Sequence, residues 1–256
     1  MAEDLEEIVY CFDWDKTIFE PPSRWPILVD MSYAWINEIK ETNPKKYNSL
    51  RKRGAVLKML MIGAKIGSKF MGKAPDHSGE TVSLRMYDGL FLEDAGISEE
   101  FVNDYASKLA ESGRLNTFFT AYASKPESER KKLAIITSEP TQLITKVLEY
   151  LGITEVPVYG NDFRIKNGVI VGFESSLGGK SKKDDGVLHA LEESGASVAY
   201  LLDDNPAVVL NIKHARAFSL SENKLKIDGL LTKLRFKNDI TYVDTVKEFL
   251  INDYNV

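Results

Sequence analysis

The sequence predicts an α/β protein with a parallel-sheet core and a helical domain inserted after its first strand. Three short apolar runs, each ending in polar residues, are typical of buried strands in a parallel sheet. These runs cover residues 8–12, 133–136 and 198–202. Amphipathic helical patterns lie between the second run and the third. Because ligands of open α/β sheets bind beyond the carboxyl ends of the strands, we expect a functional site where the three runs end.

Two helices are predicted from the spacing of apolar residues. One covers residues 141–151 and the other covers residues 184–193. Gly152 follows the first helix directly, and Gly195 lies two residues beyond the second. Glycine at this position is typical of the C-terminal end of a helix, where the backbone becomes left-handed.

A β-hairpin is predicted between these helices. Asn167 and Gly168 stand between alternating residues within the segment 156–172, and this dipeptide favours a two-residue hairpin turn. Near the end of the chain, residues 240–243 predict another strand and residues 244–251 a closing helix.

Residues 20–112 differ from the rest of the chain, because they are rich in helical patterns and contain no clear strand run. Pro21 and Pro22 mark the exit from the first strand. The order of strands and helices on either side continues as if this segment were absent. We therefore interpret residues 20–112 as a helical cap domain, and residues 1–19 with 113–256 as an α/β catalytic core.

Composition restricts the classes of function. The chain has 256 residues, 43% of them hydrophobic and 28% charged, as in an ordinary globular protein. A net charge of −5 argues against broad nucleic-acid binding, which needs a positive field. Cys11 is the only cysteine and the three histidines lie far apart, which excludes an intramolecular disulfide and disfavours zinc.

The same reasoning predicts a cytoplasmic protein without a membrane span. Residues 1–7 are acidic and lack the basic and apolar regions of a secretory signal. The most apolar stretch, residues 55–66, is short and contains Lys58 and Lys65.

Two carboxylates after the first strand carry the predicted chemistry. Asp13 and Asp15 lie two residues apart, directly beyond the run 8–12. One carboxylate of such a pair can attack phosphorus, while the other protonates the leaving oxygen and then deprotonates a water. A hard divalent cation offsets their repulsion, and oxygen ligands favour magnesium. Taken alone, the pair could also be an ordinary strand-end turn, where aspartate is common.

Four segments resemble the motifs of the haloacid dehalogenase superfamily. Residues 12–17 resemble its DxDx(T/V) first motif, and residues 136–138 its second motif. Lys183 resembles the lysine of the third motif, and residues 201–204 the acidic fourth motif. The segment 151–172 is similar to the branch that contains phosphoserine phosphatases. The resemblance implies a Rossmann-like core with an inserted α-helical cap of the type called C1.

The resemblance also implies roles for the acidic residues. Asp13 would be the nucleophile and a metal ligand. Asp15 would be the general acid and base, and its backbone carbonyl would also bind the metal. Asp203 would bind Mg²⁺ with Asp204 assisting, although a glycine usually precedes the aspartate of this motif and Leu202 stands there.

Three hydroxyl residues are candidates for binding phosphate. The resemblance implies that Thr137 would donate a hydrogen bond to a phosphoryl oxygen, and we group Ser138 and Thr17 with it. Thr137 and Ser138 also precede Glu139 and Pro140, a pattern typical of the N-terminal end of a helix with proline in its first turn. Such a helix terminus would itself favour phosphate binding.

One lysine of the segment 180–183 would neutralise the phosphorylated aspartate. Lys183 fits the apolar spacing of the helix that follows, whereas Lys180 fits better by its distance in sequence from Asp203. Lys182 is a third candidate, and the sequence leaves the choice open.

The expected function is Mg²⁺-dependent hydrolysis of a small phosphorylated metabolite through an aspartyl-phosphate, with the cap selecting the substrate. Phosphoryl transfer to another acceptor, as in a phosphotransferase or phosphomutase, would use the same residues. A non-catalytic phosphate-binding scaffold is a further alternative, but the intact pair Asp13 and Asp15 argues against it. Dehalogenation is disfavoured because that branch lacks an aspartate at the position of Asp15.

Overall fold

A central sheet organises the residues that the computed structural model describes. These are residues 7–21, 27–70, 91–126, 131–175, 182–204, 212–224 and 240–251. Within them the strands are β1 (Ile8–Phe12), β2 (Ile97–Ser98), β3 (Lys132–Pro140), β4 (Val158–Lys166), β5 (Val169–Ser175), β6 (Val198–Leu202), β7 (Ala215–Leu220) and β8 (Ile240–Val243). Their order across the sheet is β2-β5-β4-β3-β1-β6-β7-β8.

The described helices surround this sheet. They are α1 (Ile27–Thr42), α2 (Pro44–Phe70), the short α3 (Glu93–Ala95), α4 (Glu99–Glu111), α5 (Thr117–Ala123), α6 (Thr141–Tyr150), α7 (Lys182–Ser194) and α8 (Val246–Ile251). No described helix is both long enough and apolar enough to cross a membrane.

The predicted parallel core is confirmed. β1 pairs in parallel with β3 on one side and β6 on the other, and the parallel pairing continues to β4 and to β8. Among the described strands, antiparallel pairing occurs only at one edge, between β4 and β5 and between β5 and β2. β7 was not predicted from the sequence, because Arg216 and Ser219 interrupt its apolar pattern. It is held in the sheet by β6 and β8.

Alternate residues of β1 build two cores, one on each face of the sheet. Tyr10 and Phe12 lie in an apolar cluster with Phe249 of α8. Val9 and Cys11 lie in a second cluster that includes Val187 of α7. A strand buried on both faces must be apolar at every position, which is why this run was readable from the sequence.

The predicted turns are also confirmed. β4 and β5 form a hairpin through Asn167 and Gly168, whose φ angles of 53° and 73° fit a two-residue turn. Gly152 after α6 and Gly195 after α7 have φ angles of 74° and 64°. Both values lie in the left-handed region that favours glycine.

The prediction that Thr137 and Ser138 begin a helix is wrong. β3 continues through Pro140, and α6 begins at Thr141 without a side-chain cap. Between Ile136 and Pro140 the pairing of β3 with β4 shifts register. Pairing with β4 therefore keeps this segment in the sheet, although the proline in the sequence favours the start of a helix.

The connections into and out of the segment 20–112 run side by side. The Glu20 N–H donates to the Arg114 carbonyl at 3.0 Å, and the Asn116 N–H donates to the Ile18 carbonyl at 2.7 Å. This arrangement suits an inserted domain, although β2 within the segment pairs with β5 of the central sheet. The division into a cap at 20–112 and a core therefore stays a prediction.

Candidate active site

The register of two parallel strands brings Asp13 and Asp203 to the same edge of the sheet. Phe12 pairs with Leu202, so that the next residues of β1 and β6 are the two aspartates. The Asp13 N–H donates to the Leu202 carbonyl at 2.9 Å, which extends the pairing to the aspartate itself. One carboxylate oxygen each of Asp13, Asp203 and Asp204 lie within 4.8 Å of one another.

Residues of β7 fix the backbone of Asp203. Its N–H donates to the Phe218 carbonyl at 3.1 Å. The hydroxyl of the fully buried Ser219 donates to the Asp203 carbonyl at 2.7 Å. Ser219 was not among the predicted site residues, since it lies on a strand that the sequence did not reveal.

Lys183, near the start of α7, contacts both aspartates. Its Nζ lies 2.9 Å from Asp13 Oδ1 and 2.6 Å from Asp203 Oδ2. Burial alone would lower the pKa of Lys183, but the carboxylates of Asp13 and Asp203 outweigh it and raise that pKa, which keeps the ammonium charged. Among the candidate lysines, the side chain of Lys182 and all of Lys180 lie outside the described residues.

The three carboxylates carry more negative charge than Lys183 can balance. Burial raises the pKa of Asp13 well above its ordinary value; Lys183 opposes the rise, while Asp203 and Asp204 add to it. Such a cluster of oxygen donors could hold a hard divalent cation, whose charge would favour the ionised carboxylates.

A tight turn presents Asp15 beside this cluster. Lys16 has a φ of 62°, and its N–H donates to the Phe19 carbonyl at 2.8 Å. The Phe19 N–H donates in turn to the Trp14 carbonyl at 3.0 Å. The rings of Trp14 and Phe19 stack with their centroids 5.0 Å apart, and both side chains are buried. The turn is therefore anchored in the core on both sides of Asp15.

The carboxyl group of Asp15 is hydrogen-bonded to that of Glu139. Burial raises the pKa of Asp15 to about 6, and the hydrogen bond from Glu139 opposes the rise. Burial, followed by the charge of Asp15, raises the pKa of Glu139 well above its ordinary value. The Leu28 N–H of α1 donates to Glu139 Oε2 at 3.1 Å.

Sequence reasoning treated Glu139 only as part of a helix start. Its partners, Asp15 and Leu28, are distant in sequence, so that no local pattern connects them. The sequence contains one indication that Glu139 belongs to the site. Glu139 is an acidic residue that follows an apolar strand run and the pair Thr137 and Ser138.

The predicted phosphate-binding hydroxyls lie in different environments. Thr17 is buried, and its Oγ1 has no hydrogen-bond partner within the described part of the chain. Thr137 is also buried, and its Oγ1 accepts from the Glu139 N–H at 3.0 Å, which leaves the hydroxyl proton free to be donated. Ser138 is partly buried, and its carbonyl accepts from Asn161 Nδ2 at 2.6 Å.

No protein-family model matches the chain, and no curated protein matches its sequence.

Solved structures do resemble it over most of its length. A phosphoserine phosphatase in its apo form has a TM-score of 0.54 and 12% identity, covering 96% of this chain and 98% of that one. Cytosolic 5′-nucleotidase IIIB bound to cytidine has a TM-score of 0.57 and 12% identity, with 94% and 82% covered. A HAD family hydrolase from Salmonella enterica serovar Typhi has a TM-score of 0.54 and 12% identity, with 96% and 72% covered. At this identity the similarity shows the fold alone, and it confirms the predicted α/β fold with a Rossmann-like parallel sheet.

Proposed function

We propose that this chain is a Mg²⁺-dependent phosphatase that hydrolyses a small phosphomonoester through a phosphorylated Asp13. The observation that carries the proposal is the contact of Lys183 with both Asp13 and Asp203, with Asp15 in the adjoining turn. The similar fold of a phosphoserine phosphatase and a 5′-nucleotidase supports the same chemistry.

In the first step a carboxylate oxygen of Asp13 attacks phosphorus. An oxygen–phosphorus bond forms to Asp13, and the bond from phosphorus to the leaving oxygen breaks. Asp15 gives its proton to that oxygen, so that the alcohol leaves neutral. Lys183 balances charge on the phosphorylated aspartate, and the Thr137 hydroxyl donates to a phosphoryl oxygen.

In the second step water attacks the phosphorus atom of the intermediate. Asp15, now ionised, accepts a proton from the water as the new bond forms. The bond between phosphorus and Asp13 breaks, inorganic phosphate leaves, and both aspartates return to their starting states.

The acidic cluster fits Mg²⁺, because its donors are carboxylate oxygens. Asp13, Asp203 and Asp204 would hold the ion together with the backbone carbonyl of Asp15. The bound ion would stabilise the negative charge of the phosphoryl oxygens and reduce the repulsion between that group and the aspartates.

We assign substrate selection to the segment 20–112. α1 of this segment lies against Glu139 and hence beside Asp15, the residue that contacts the leaving group. A cap that closes there would exclude bulk water and choose among small phosphorylated metabolites.

Replacing the nucleophile tests the proposal. Asp13→Asn should lower Mg²⁺-dependent hydrolysis of 4-nitrophenyl phosphate by at least about 10³-fold, because an amide cannot form the phosphorylated intermediate. Turnover is measured with Mg²⁺ and after its removal by EDTA, and circular dichroism checks the fold. Asp104→Asn, at an exposed position on α4, is the matched control and should keep wild-type turnover.

The outcome that contradicts the proposal is equal turnover by Asp13→Asn and the wild type. Adding a large excess of an alcohol acceptor identifies the product: free phosphate supports hydrolysis, whereas a phosphorylated alcohol indicates phosphoryl transfer.

A further inference from the structure

We propose that Ser219 is a positioning residue, whose hydroxyl group fixes the peptide unit between Asp203 and Asp204 and so sets how tightly their carboxylates bind Mg²⁺. The inference rests on the metal site of the proposed function, because it assumes that the acidic cluster holds this ion. Ser219 acts through the backbone of the two aspartates and not as a ligand. It lies on β7, outside the four segments that resemble known motifs.

Ser219 lies inside the sheet and is held from both sides. Its residue surface is 0% exposed. Its strand β7 pairs in parallel with β6 on one side and with β8 on the other, where Ser219 is in register with Tyr242. Close packing of this kind leaves a side chain little freedom to move. The hydroxyl of Ser219 is therefore a donor at a fixed point.

The hydroxyl group of Ser219 donates to the Asp203 carbonyl at 2.7 Å. A carbonyl oxygen can only accept, so the single hydroxyl proton is used in this bond. β7 also holds the other side of the same residue, because the Asp203 N–H donates to the Phe218 carbonyl at 3.1 Å. Asp203 directly follows Leu202, the last residue of β6, so the two bonds hold it where the strand ends.

The carbonyl group of Asp203 belongs to the same peptide unit as the N–H of Asp204. A peptide unit is planar, so a bond that fixes its carbonyl also fixes the direction in which the chain enters Asp204. One carboxylate oxygen each of Asp13, Asp203 and Asp204 lie within 4.8 Å of one another. Ser219 thereby restrains the relative orientation of two of these three carboxylates.

Mg²⁺ binding is sensitive to such a restraint, because the ion demands near-octahedral geometry from its ligands. Residues that orient ligands without touching the metal contribute to its affinity, and replacing them commonly weakens binding by about 10–100-fold. The carboxylate of Asp203 is held separately, since its Oδ2 lies 2.6 Å from Lys183 Nζ. Lys183 thus holds the side chain of Asp203, whereas Ser219 holds its backbone.

Isothermal titration calorimetry with MgCl₂ tests the inference through binding rather than turnover. Ser219→Ala removes the donor, and Ser219→Cys replaces it with a weak donor of similar size. Both substitutions should raise the Kd for Mg²⁺ by about 10–100-fold. Ser219→Thr keeps the hydroxyl and suits a β-strand, so its Kd should stay within about threefold of the wild-type value.

Ser32→Ala is the matched control. Ser32 of α1 is 2% exposed and its hydroxyl donates to the Leu28 carbonyl at 2.9 Å, so this variant also loses a buried hydrogen bond to the backbone. It should keep the wild-type Kd, because α1 contributes none of the three clustered carboxylates. Asp203→Asn is the reference for loss of a ligand. Thermal unfolding in EDTA, followed by circular dichroism, checks that each variant folds, and Ser219→Cys decides if Ser219→Ala does not fold.

The outcomes separate the inference from the proposed function. A wild-type chain that binds no Mg²⁺ overturns the proposed metal-dependent chemistry, and the role of Ser219 with it. A wild type that binds Mg²⁺, with a Ser219→Cys variant of the same Kd, overturns only the role of Ser219. A Ser219→Thr variant as weak as Ser219→Cys does so as well, because the hydroxyl would then not explain the effect. Equal weakening in Ser32→Ala and Ser219→Ala has the same meaning, because a general loss of stability would then explain both.

Discussion

The Lys183 ammonium lies between two carboxylates with little solvent around it. The side chains of Lys183, Asp13 and Asp203 are 12%, 8% and 0% exposed. Taking charges out of water is costly, and an ion pair offsets the cost only when its partners are well placed. A protein selected for stability alone would have little use for this cluster, which is why we attribute it to chemistry.

Substituting the lysines decides which one serves the site. Lys183→Met should lower turnover of 4-nitrophenyl phosphate by at least about 100-fold, since it removes a preorganised positive charge beside the nucleophile. Lys180→Met is the matched control, with the same change of side chain three residues earlier, and should keep wild-type turnover. A larger loss in Lys180→Met than in Lys183→Met would contradict the assignment.

β3 and β4 hold the site through an irregular stretch of pairing. The register shift between Ile136 and Pro140 places Thr137 and Glu139 in extended backbone rather than in a helix. Gly160 permits this because β4 approaches the Thr137 carbonyl too closely for any side chain. The position of two site residues thus depends on a glycine in a neighbouring strand.

Gly160→Ala should therefore impair both stability and activity. The new Cβ would meet backbone oxygens at 2.8 and 2.9 Å, so that one strand has to move. We expect a loss of about 1–3 kcal/mol in the free energy of unfolding, as for overpacked interiors, measured by urea denaturation. Turnover of phenyl phosphate should also fall, because Thr137 and Glu139 move with the backbone.

Gly113→Ala provides the control for this substitution. Gly113 has a φ of 65° and no atom within 4 Å of an added Cβ. It should lose about 1–2 kcal/mol through backbone strain but keep its turnover at temperatures where it is folded. Full turnover in Gly160→Ala would show that β3 tolerates displacement at the site.

The molecule as a whole gathers acidic groups from distant parts of the chain at one edge of its sheet. Asp13 follows β1, and Asp203 and Asp204 follow β6. The unfolded chain separates these residues, so a cation held by all three would bind the folded state far better than the unfolded one. Metal binding and folding are then thermodynamically linked.

Mg²⁺ should raise the melting temperature of the wild-type chain. At Mg²⁺ concentrations about 100-fold above its Kd, the linkage predicts a rise of roughly 5–10 °C relative to EDTA. Asp203→Asn should lose most of this rise, whereas the exposed Asp104→Asn should keep it. Differential scanning fluorimetry measures the shift, and an Asp203→Asn variant with the full rise would rule out this ligand set.

Much of the fold could be predicted because its signals are local. An apolar run identifies a strand buried on both faces, and Asn167 with Gly168 identifies a hairpin turn, since each depends on neighbouring residues only. Asp13 and Asp203 could be proposed for the same reason, because they directly follow such runs, and Asp15 because it lies two residues beyond Asp13. Their chemical roles were implied by the resemblance to a known family, and these roles stay predictions.

Tertiary structure alone decided the rest. Lys183 reaches Asp13 because α7 packs closely on the sheet at Gly186, where a Cβ would lie 3.0 Å from Ile136 Cγ2. Glu139 joins Asp15 to α1 through partners on two other segments, and the strand β7 exists because β6 and β8 pair with it. Contacts between side chains far apart in the chain leave no repeating pattern in the sequence. The packing of whole helices and strands determines the distances between such side chains.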